Sequence, residues 1–561
     1  MRKSGNKWKI AVLAVVAALT IGFVGAGDKD FEMSKNLDIY HTLFRELSIY
    51  YVDEIDPGDL VKKSIDEMLK TLDPYTEFIP ESAIEDFRIQ TTGQYGGIGA
   101  MIHNKGKYVE IVEPIADAPA HLAGIKAGDI IKEIDGRDIA DIDQDDVSEL
   151  LKGEPKSKVT LTVETPYTGQ TRKVDIVRQK IKMKSVPYYG MVADGIGYIL
   201  LTSFTENCTQ EVKDALLSLK KDNQIKGIIL DLRKNPGGLL NEAVSISNIF
   251  VDKGSEIVST KGKVKIWNKT YYATSDPIDT GTPLAVLINS RSASASEIVS
   301  GVIQDLDRGV IVGTRSFGKG LVQTTRDLSY NTKLKLTTAK YYIPSGRCIQ
   351  ALDYSHRNKD GSVGKVPDSL ITKFQTRVGR DVYDGGGVLP DVKVEPEMMS
   401  DIAVSLYGKN LIFDYATLYA QKHSSISEPG KFRISDEDYA DFTNFLSDKD
   451  YDYTLESEKI IEDLEKAIKL EKHSNSVESE LEQVRAKLSH NKEADLQLCK
   501  SEISYLLQEE IVSRYYFQEG RAIALLQKDS TLVKAIEVLN NPTEYKRLLS
   551  PQNNEKQQEN N

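Results

Sequence analysis

Leu284-Ala-Val-Leu-Ile-Asn-Ser-Arg-Ser-Ala-Ser-Ala-Ser-Glu-Ile-Val-Ser-Gly-Val-Ile-Gln-Asp-Leu306 decides how this chain is read. Its first five residues are apolar without alternation, the pattern of a strand buried on both faces. A loop of small polar residues follows, and Glu297 to Leu306 reads as a helix. The same alternation lies upstream. Ile196 to Leu201 and Gly227 to Leu232 read as strands, and Thr209 to Lys220 and Leu239 to Phe250 as helices. Buried strands set between helices predict an α/β core, placed here at residues 181–399.

Three segments of that core could carry chemistry. A nucleophilic hydroxyl needs an exposed turn and nearby backbone N–H groups for a developing oxyanion, and Ser294 with the N–H of Ala295 meets that description. By itself the serine-rich stretch reads equally as a helix cap. Gly318-Lys319-Gly320 sets one lysine between two glycines, but without the spaced glycines and the Lys-Ser or Lys-Thr ending of a phosphate loop. A lysine acting as base must be neutral. Lowering its pKa from about 10.4 toward 7 to 8 costs roughly 4 kcal/mol, which only an apolar pocket supplies, and Phe317, Leu321 and Val322 are the neighbours for it. The third segment, Asp231 to Leu240, ends a strand with Gly237-Gly238 opening a helix; it is either a source of free amides or an ordinary strand-to-helix turn.

Working outward, residues 91–180 hold short strand-like runs at Tyr108 to Val112, Ile130 to Ile134, Lys158 to Val163 and Arg172 to Val177, divided by Ala-Gly and Asp-Gly turns. With one helix at about Asp145 to Leu151 they predict a compact β-rich module. Residues 34–90 are helical, with Leu43, Leu47 and Tyr50 and then Leu60, Ser64, Met68 and Leu72 at spacings of three and four. Asp73-Pro74 breaks that pattern, and Ser82 is the expected cap of a further helix. Residues 400–550 are helical and charged, with Val477, Leu481, Val484 and Leu488 suited to packed or coiled helices, and the polar tail 551–561 reads as disordered.

Taken together, Ser292-Ala-Ser-Ala-Ser-Glu297, Phe317-Gly-Lys-Gly320, Lys340 to Arg347 and Gly387 to Asp391 resemble the carboxyl-terminal processing, or tail-specific, proteases over roughly Leu37 to Val394. The resemblance implies a core of the crotonase and Clp-protease α/β type that acts through a Ser-Lys dyad. Ser294 would be the nucleophile, Lys319 the base and Gln323 the residue orienting the lysine. Ala295 with Gly237 and Gly238 would donate to the oxyanion, and Asp305 and Arg308 would support the site. No cofactor and no metal are implied. Residues 91–180 resemble a bacterial PDZ domain inserted before the core. Its carboxylate-binding loop would be Gly97-Ile98-Gly99-Ala100, a peptide would add as a strand along Gly99 to Ile102, and Val147, Leu150 and Leu151 would wall the side-chain pocket. Lys152 stands before Gly153 where many relatives have Arg.

Composition bounds the alternatives. With 561 residues, 40% hydrophobic and 28% charged, the chain folds as several domains, and a net charge of −12 argues against a nucleic-acid surface. Arg2, Lys3, Lys7 and Lys9 precede an apolar run from Ile10 to Val24 and then Gly25-Ala26-Gly27, so residues 1–27 have the layout of a signal peptide. The run falls short of the ~20 residues of a spanning helix, which favours cleavage but leaves a membrane tether by residues 10–24 open. Either outcome exports the chain, with the periplasm or cell envelope as the expected address. Cys208, Cys348 and Cys499 are odd in number and far apart, so buried thiols are expected. His356 lies in a polar stretch that reads as a solvated loop. The expected partners are protein substrates held by their C-terminal tails, with homo-oligomers through the helical regions left open. A PDZ scaffold without hydrolysis is the competing reading; a small-molecule acyl hydrolase would need a Gly-x-Ser-x-Gly elbow that the chain lacks.

Overall fold

The computed structural model describes residues 29–222, 224–395, 398–470, 479–485 and 491–551. The signal segment, Val477, Leu488 and the polar tail beyond Pro551 lie outside the described residues. Among the described residues no helix is long and apolar enough to cross a membrane.

The protein is an α/β multidomain chain built as two compact units, Met1–Phe78 and Ile79–Asn561. The first holds a helix over residues 29–50 and a second, Pro57–Lys70, capped by Asp56 Oδ1 accepting from the Asp59 N–H at 3.1 Å. The expected break is made by Asp73, whose Oδ1 accepts the N–H groups of Tyr75 and Thr76, both at 2.8 Å.

In the second unit a six-stranded sheet forms the centre. Its order is Tyr188–Ala193, Ile196–Leu200, Gly227–Asp231, Leu284–Ile288, Val310–Gly313 and Val392–Lys393, antiparallel at the first pair and parallel at the others. Side chains alternate strictly between two layers. Ile228, Leu230, Leu284, Val286 and Ile288 face the helices Cys208–Asp222, Leu240–Phe250 and Ala295–Asp305. Ile229, Ala285, Leu287, Val310 and Val312 face the opposite way, onto Leu532, Ala535, Val538, Leu539 and Leu548. That second cover comes from the helices Ser530–Leu539 and Pro542–Leu548 at the far end of the chain. The sequence division at residue 400 therefore cuts through the core: apolar strands buried on both faces need two helical layers, and the second is supplied some 130 residues after the boundary.

The β-rich module is a sheet ordered Ala100–Lys105, Tyr108–Pro114, Ile130–Ile134, Lys158–Glu164 and Thr171–Val177, with a helix at Gln144–Leu151. At its root Gln94–Gly97 pairs with Gln179–Lys182. The preceding helix, Ile84–Thr92, follows a 3-10 turn at Glu81–Ala83 and has no side-chain cap, so Ser82 does not cap it.

Between core and last helices lies a helical bundle whose centre includes Leu406, Ile412, Tyr415, Phe442, Ile503, Leu507 and Ile511. Its last run, Lys500–Leu525, is two helices joined at Phe517, which sits at φ 52° and ψ −154°. The bundle grips the outer face of the β-rich module. Lys105 Nζ meets Asp414 Oδ1 at 2.6 Å, Tyr167 donates to the Asp414 carbonyl at 2.9 Å, and Gln421 donates to the Pro166 carbonyl at 2.8 Å.

Because Leu539 is almost fully buried against the sheet, Leu539→Ala is expected to lower the unfolding free energy of the core by about 2 to 5 kcal/mol. Urea unfolding followed by tryptophan fluorescence measures it; a loss under 0.5 kcal/mol would mean that the last helices are dispensable to the sheet.

Candidate active site

The loop after the strand Leu284–Ile288 is held by side chains that reach back to the backbone. Ser292 Oγ donates to the Leu232 carbonyl and accepts the Asn289 N–H, both at 2.9 Å, and Ser296 Oγ donates to the Asn235 carbonyl at 2.9 Å. These serines are buried structural ties, which leaves Ser294 as the serine of the cluster that reaches the adjoining cavity. Ser294 occupies φ 56° and ψ −111°, a conformation unfavourable for a residue with a Cβ. Its N–H donates to Glu297 Oε2 at 2.8 Å and its carbonyl accepts from the buried Tyr341 hydroxyl at 3.2 Å.

Glu297 joins the serine loop to the lysine loop. The side chain is wholly buried; Oε2 accepts the N–H groups of Ser294 at 2.8 Å and Lys319 at 2.9 Å, while Oε1 accepts the Ser316 hydroxyl at 2.5 Å and the Gly318 N–H at 2.7 Å. Burial pushes its pKa up to about 7, against the pull of those four donors. No role was assigned to it from sequence, although Ser294-x-x-Glu297 at the start of a helix is the spacing of a capping box.

Gly237 lies against the same serine. A Cβ there would stand 2.7 Å from the Ala293 carbonyl oxygen, 2.9 Å from Ser294 Cβ and 3.0 Å from the Ala295 nitrogen, and its φ of 102° disfavours any side chain. The Gly237 N–H is given to Asn235 Oδ1 at 2.9 Å, and Gly238 lies against the backbone of Phe204. Gln323 lies on the strand Leu321–Asp327, where its amide donates to Thr337 Oγ1 at 3.0 Å. Phe317, expected to desolvate the lysine, is 47% exposed; Leu321 and Val322 are the apolar neighbours that line the cavity with Lys319.

That cavity, of about 1560 Å3, brings together Ser294, Ala295, Lys319, Gln323, Gly237 and Gly238. It exceeds the few hundred to 1,000 Å3 usual for a small-molecule site and has the room of a peptide channel. Its walls come from every part of the second unit: Phe87 and Thr91, Met101 and Glu113 of the β-rich module, Ile298 and Tyr341 of the core, and Phe413 and Phe517 of the bundle.

The expected tail-binding residues lie elsewhere in the β-rich module. Gly97 ends a paired strand; Ile98 is buried, its carbonyl accepting the Ala120 N–H at 2.8 Å. Gly99, at φ 76°, accepts from Ile115 N–H at 2.9 Å, and Ala100 begins the edge strand of the sheet. Val147 and Leu151 face the module's own core and are buried there, so they are not open pocket walls; Leu150 is half-buried. Gln144 Nε2 reaches the Ile102 carbonyl at 3.4 Å. Lys152 bonds Asp86 and, at 2.9 Å, Glu149. Asp305 pairs with Arg347 at 2.8 Å, and Arg308 donates to the carbonyls of Phe250, Asp279 and Thr282, so both tie the core away from the cavity. Cys208 is buried and Cys348 and Cys499 are half-buried free thiols, while His356 is 85% exposed and pairs with Asp353.

Two measurements check the local construction. Glu297 is more basic folded than unfolded, so its share of stability is full below pH 4.5 and is lost as pH rises through about 7. Its role as acceptor requires the carboxylate, so activity should rise over the window in which stability falls. Glu297→Gln turns an amide NH2 toward N–H donors, and should flatten the stability slope and lower kcat by about 100-fold. Thermal melts and peptide hydrolysis between pH 5 and 8.5 read both. Gly237→Ala should cost on the order of 100-fold in kcat/KM with circular dichroism unchanged.

Three family models match the chain: Peptidase family S41 at residues 195–355, PDZ domain at 110–165, and "Probable PDZ-protease, C-terminal helical domain" at 402–539. A carboxy-terminal-processing protease of Bartonella bacilliformis is 38% identical over 321 residues, covering 57% of this chain and 73% of the relative. A Staphylococcus aureus protein named "Probable CtpA-like serine protease" is 35% identical over 345 residues, covering 60% and 67%. Among solved structures, a photosystem II D1 C-terminal processing protease matches at 30% identity and TM-score 0.35, over 64% of this chain and 92% of that one. By these similarities the chain belongs to the carboxy-terminal-processing protease family, serine peptidases of family S41, and carries a PDZ domain.

Proposed function

We propose that the protein is an exported serine endopeptidase that takes protein C-terminal tails through its PDZ domain and cuts them with a Ser294–Lys319 dyad. The observation that supports this reading is the Glu297 carboxylate, which accepts the backbone N–H groups of both residues, each of which lines the same cavity. Lys319 takes the proton of Ser294 as Oγ adds to the scissile carbonyl, and the oxyanion is met by the N–H groups of Ala295 and Gly238. Lys319 returns the proton to the leaving amine; water, deprotonated by the same lysine, then adds to the acyl-serine, and Ser294 Oγ leaves as it takes that proton back from Lys319. Leu321, Val322 and Tyr341 supply apolar surroundings for an uncharged amine.

Recognition of the tail rests on the edge position of Ala100–Lys105, whose outer backbone groups can pair with an extended peptide. The basic residues followed by Ile10 to Val24 support export to the periplasm or envelope. Purified protein should cleave an unstructured C-terminal peptide, and both Ser294→Ala and Lys319→Met should reduce turnover at least ~1,000-fold while leaving peptide binding by fluorescence anisotropy unchanged. Cleavage retained by either variant removes the dyad; tail binding by wild type without hydrolysis leaves a PDZ scaffold.

A further inference from the structure

Lys261-Gly-Lys-Val-Lys-Ile-Trp-Asn-Lys269 spans the turn between the paired strands Glu256–Gly262 and Lys269–Tyr272. It carries four lysines, and no Asp or Glu occurs between Glu256 and Asp276. The chain as a whole has 84 acidic against 72 basic residues, so this stretch runs against its composition. Two more exposed cations stand beside the turn. Lys340 is directly opposite Lys261 across the strand pair, and the Arg326 guanidinium is 5.8 Å from the centre of the Trp267 ring. Like charges set opposite one another across a sheet are destabilising unless an anion meets them. The acid next to Arg326, Asp327, is taken by Lys333.

Between the lysines the turn points apolar side chains outward. Val264 and Ile266 are 55% and 66% accessible, whereas Trp267 is half-buried. The turn is tied in place. The Trp267 N–H donates to the Val264 carbonyl and the Asn268 N–H to the Lys265 carbonyl, both at 3.0 Å. Asn268 Oδ1 accepts the Gly262 N–H at 2.8 Å, and the buried Thr260 hydroxyl donates to the Trp267 carbonyl at 2.5 Å. A Cβ at Gly262 would stand 3.0 Å from Trp267 Cβ, so the indole is seated against the strand while the two aliphatic side chains are held outward.

A single exposed aliphatic residue is ordinary. Two on a tied turn, bracketed by lysines and with an indole at the base, match an anionic amphiphilic surface: acyl chains take the tip, headgroup phosphates take the amines, and the indole lies at the boundary. We propose that the 261–269 turn docks the peptidase onto an anionic phospholipid bilayer, independently of residues 10–24. A soluble polyanion would satisfy the lysines but leave Val264 and Ile266 in water, which favours lipid as the partner. The strand Glu256–Gly262 pairs with Lys333–Tyr342, whose Tyr341 walls the chamber, so the docking face lies one strand from the candidate active site.

The chain has two tryptophans, Trp8 and Trp267, so Trp8→Phe in the full chain makes emission report on the turn and not on the N-terminal segment. Phosphatidylglycerol vesicles with bromine on the acyl chains near the headgroup should quench Trp267, phosphatidylcholine vesicles brominated in the same way should not, and about 0.5 M sodium chloride should reverse the quenching. The lipid concentration for half-maximal quenching should rise at least ~30-fold in Lys263→Glu/Lys265→Glu and about 10-fold in Val264→Ser/Ile266→Ser. Lys173→Glu/Lys180→Glu, an equal change of charge at exposed positions of the β-rich module, should leave it unchanged. Unaltered Trp267 emission without vesicles shows that the turn is intact in each variant. Absence of quenching in the Trp8→Phe chain, equal quenching by both lipids, or an equal loss in Lys173→Glu/Lys180→Glu overturns the assignment. So does binding to polyphosphate that exceeds binding to vesicles and survives Val264→Ser/Ile266→Ser, which would make the turn a polyanion site. Hydrolysis is not read at any step, so failure here is distinct from failure of the dyad.

Discussion

One buried carboxylate determines the geometry of the site. Removing Glu297 from water costs several kcal/mol if it is charged, and its hydrogen-bond partners are backbone N–H groups and the Ser316 hydroxyl. What offsets that cost is a complete set of four donors, three of them backbone N–H groups drawn from two loops that are more than 20 residues apart in sequence. An acceptor surrounded in this way cannot shift without leaving donors unsatisfied, so the serine loop and the lysine loop move together or not at all. That its pKa is still raised, to about 7, means that burial outweighs the four donors.

The strain at Ser294 follows from that arrangement. A positive φ at a residue with a Cβ persists only where the surroundings overdetermine it. Here its N–H is held by Glu297, its carbonyl by the Tyr341 hydroxyl, and its flank by Gly237, where no side chain could fit. Ser292 and Ser296 lock the turn on either side by bonding to backbone carbonyls of the neighbouring Leu232–Asn235 segment. The stretch that reads as a serine-rich cap is therefore three serines with different tasks, two turned inward as ties and one turned to the cavity.

Much of this was legible in the sequence. Unbroken apolar runs such as Leu284–Ile288 located the central strands to within a residue, because burial on both faces leaves no other pattern. The β-rich module was equally readable from alternation and Gly-containing turns. The second helical layer was not: Leu532, Ala535, Val538 and Leu539 show a helix with one apolar face, but periodicity does not say which surface that face meets. At the site, small residues and a glycine-bracketed lysine marked the loops, whereas the use of Glu297 depends on two loops meeting in space. Phe317 was misjudged for a similar reason, since adjacency in sequence to Lys319 does not set the direction of a side chain, and its neighbours on the strand are the ones that turn inward. Val147 and Leu151, expected as pocket walls from the resemblance, are packed into the module's core.

The remaining order in the molecule comes from how the PDZ domain is seated. Its outer face meets the helical bundle through Lys105 and Asp414 and through a buried group in which Arg521 bonds Glu509 and Glu510, both at 2.9 Å, and lies 3.6 Å from Glu113. Of these pairs, those that cross from the bundle to the domain are Lys105–Asp414 and Arg521–Glu113, while Glu509 and Glu510 hold Arg521 in place from within the bundle. Rings add to the seat, with His103 against Phe413 and His121 edge-on to Phe517. Met101 and Glu113 of the domain and Phe413 and Phe517 of the bundle are also walls of the cavity that holds Ser294. The contacts that orient the PDZ domain are thus the contacts that shape the chamber, and a displacement of one necessarily alters the other.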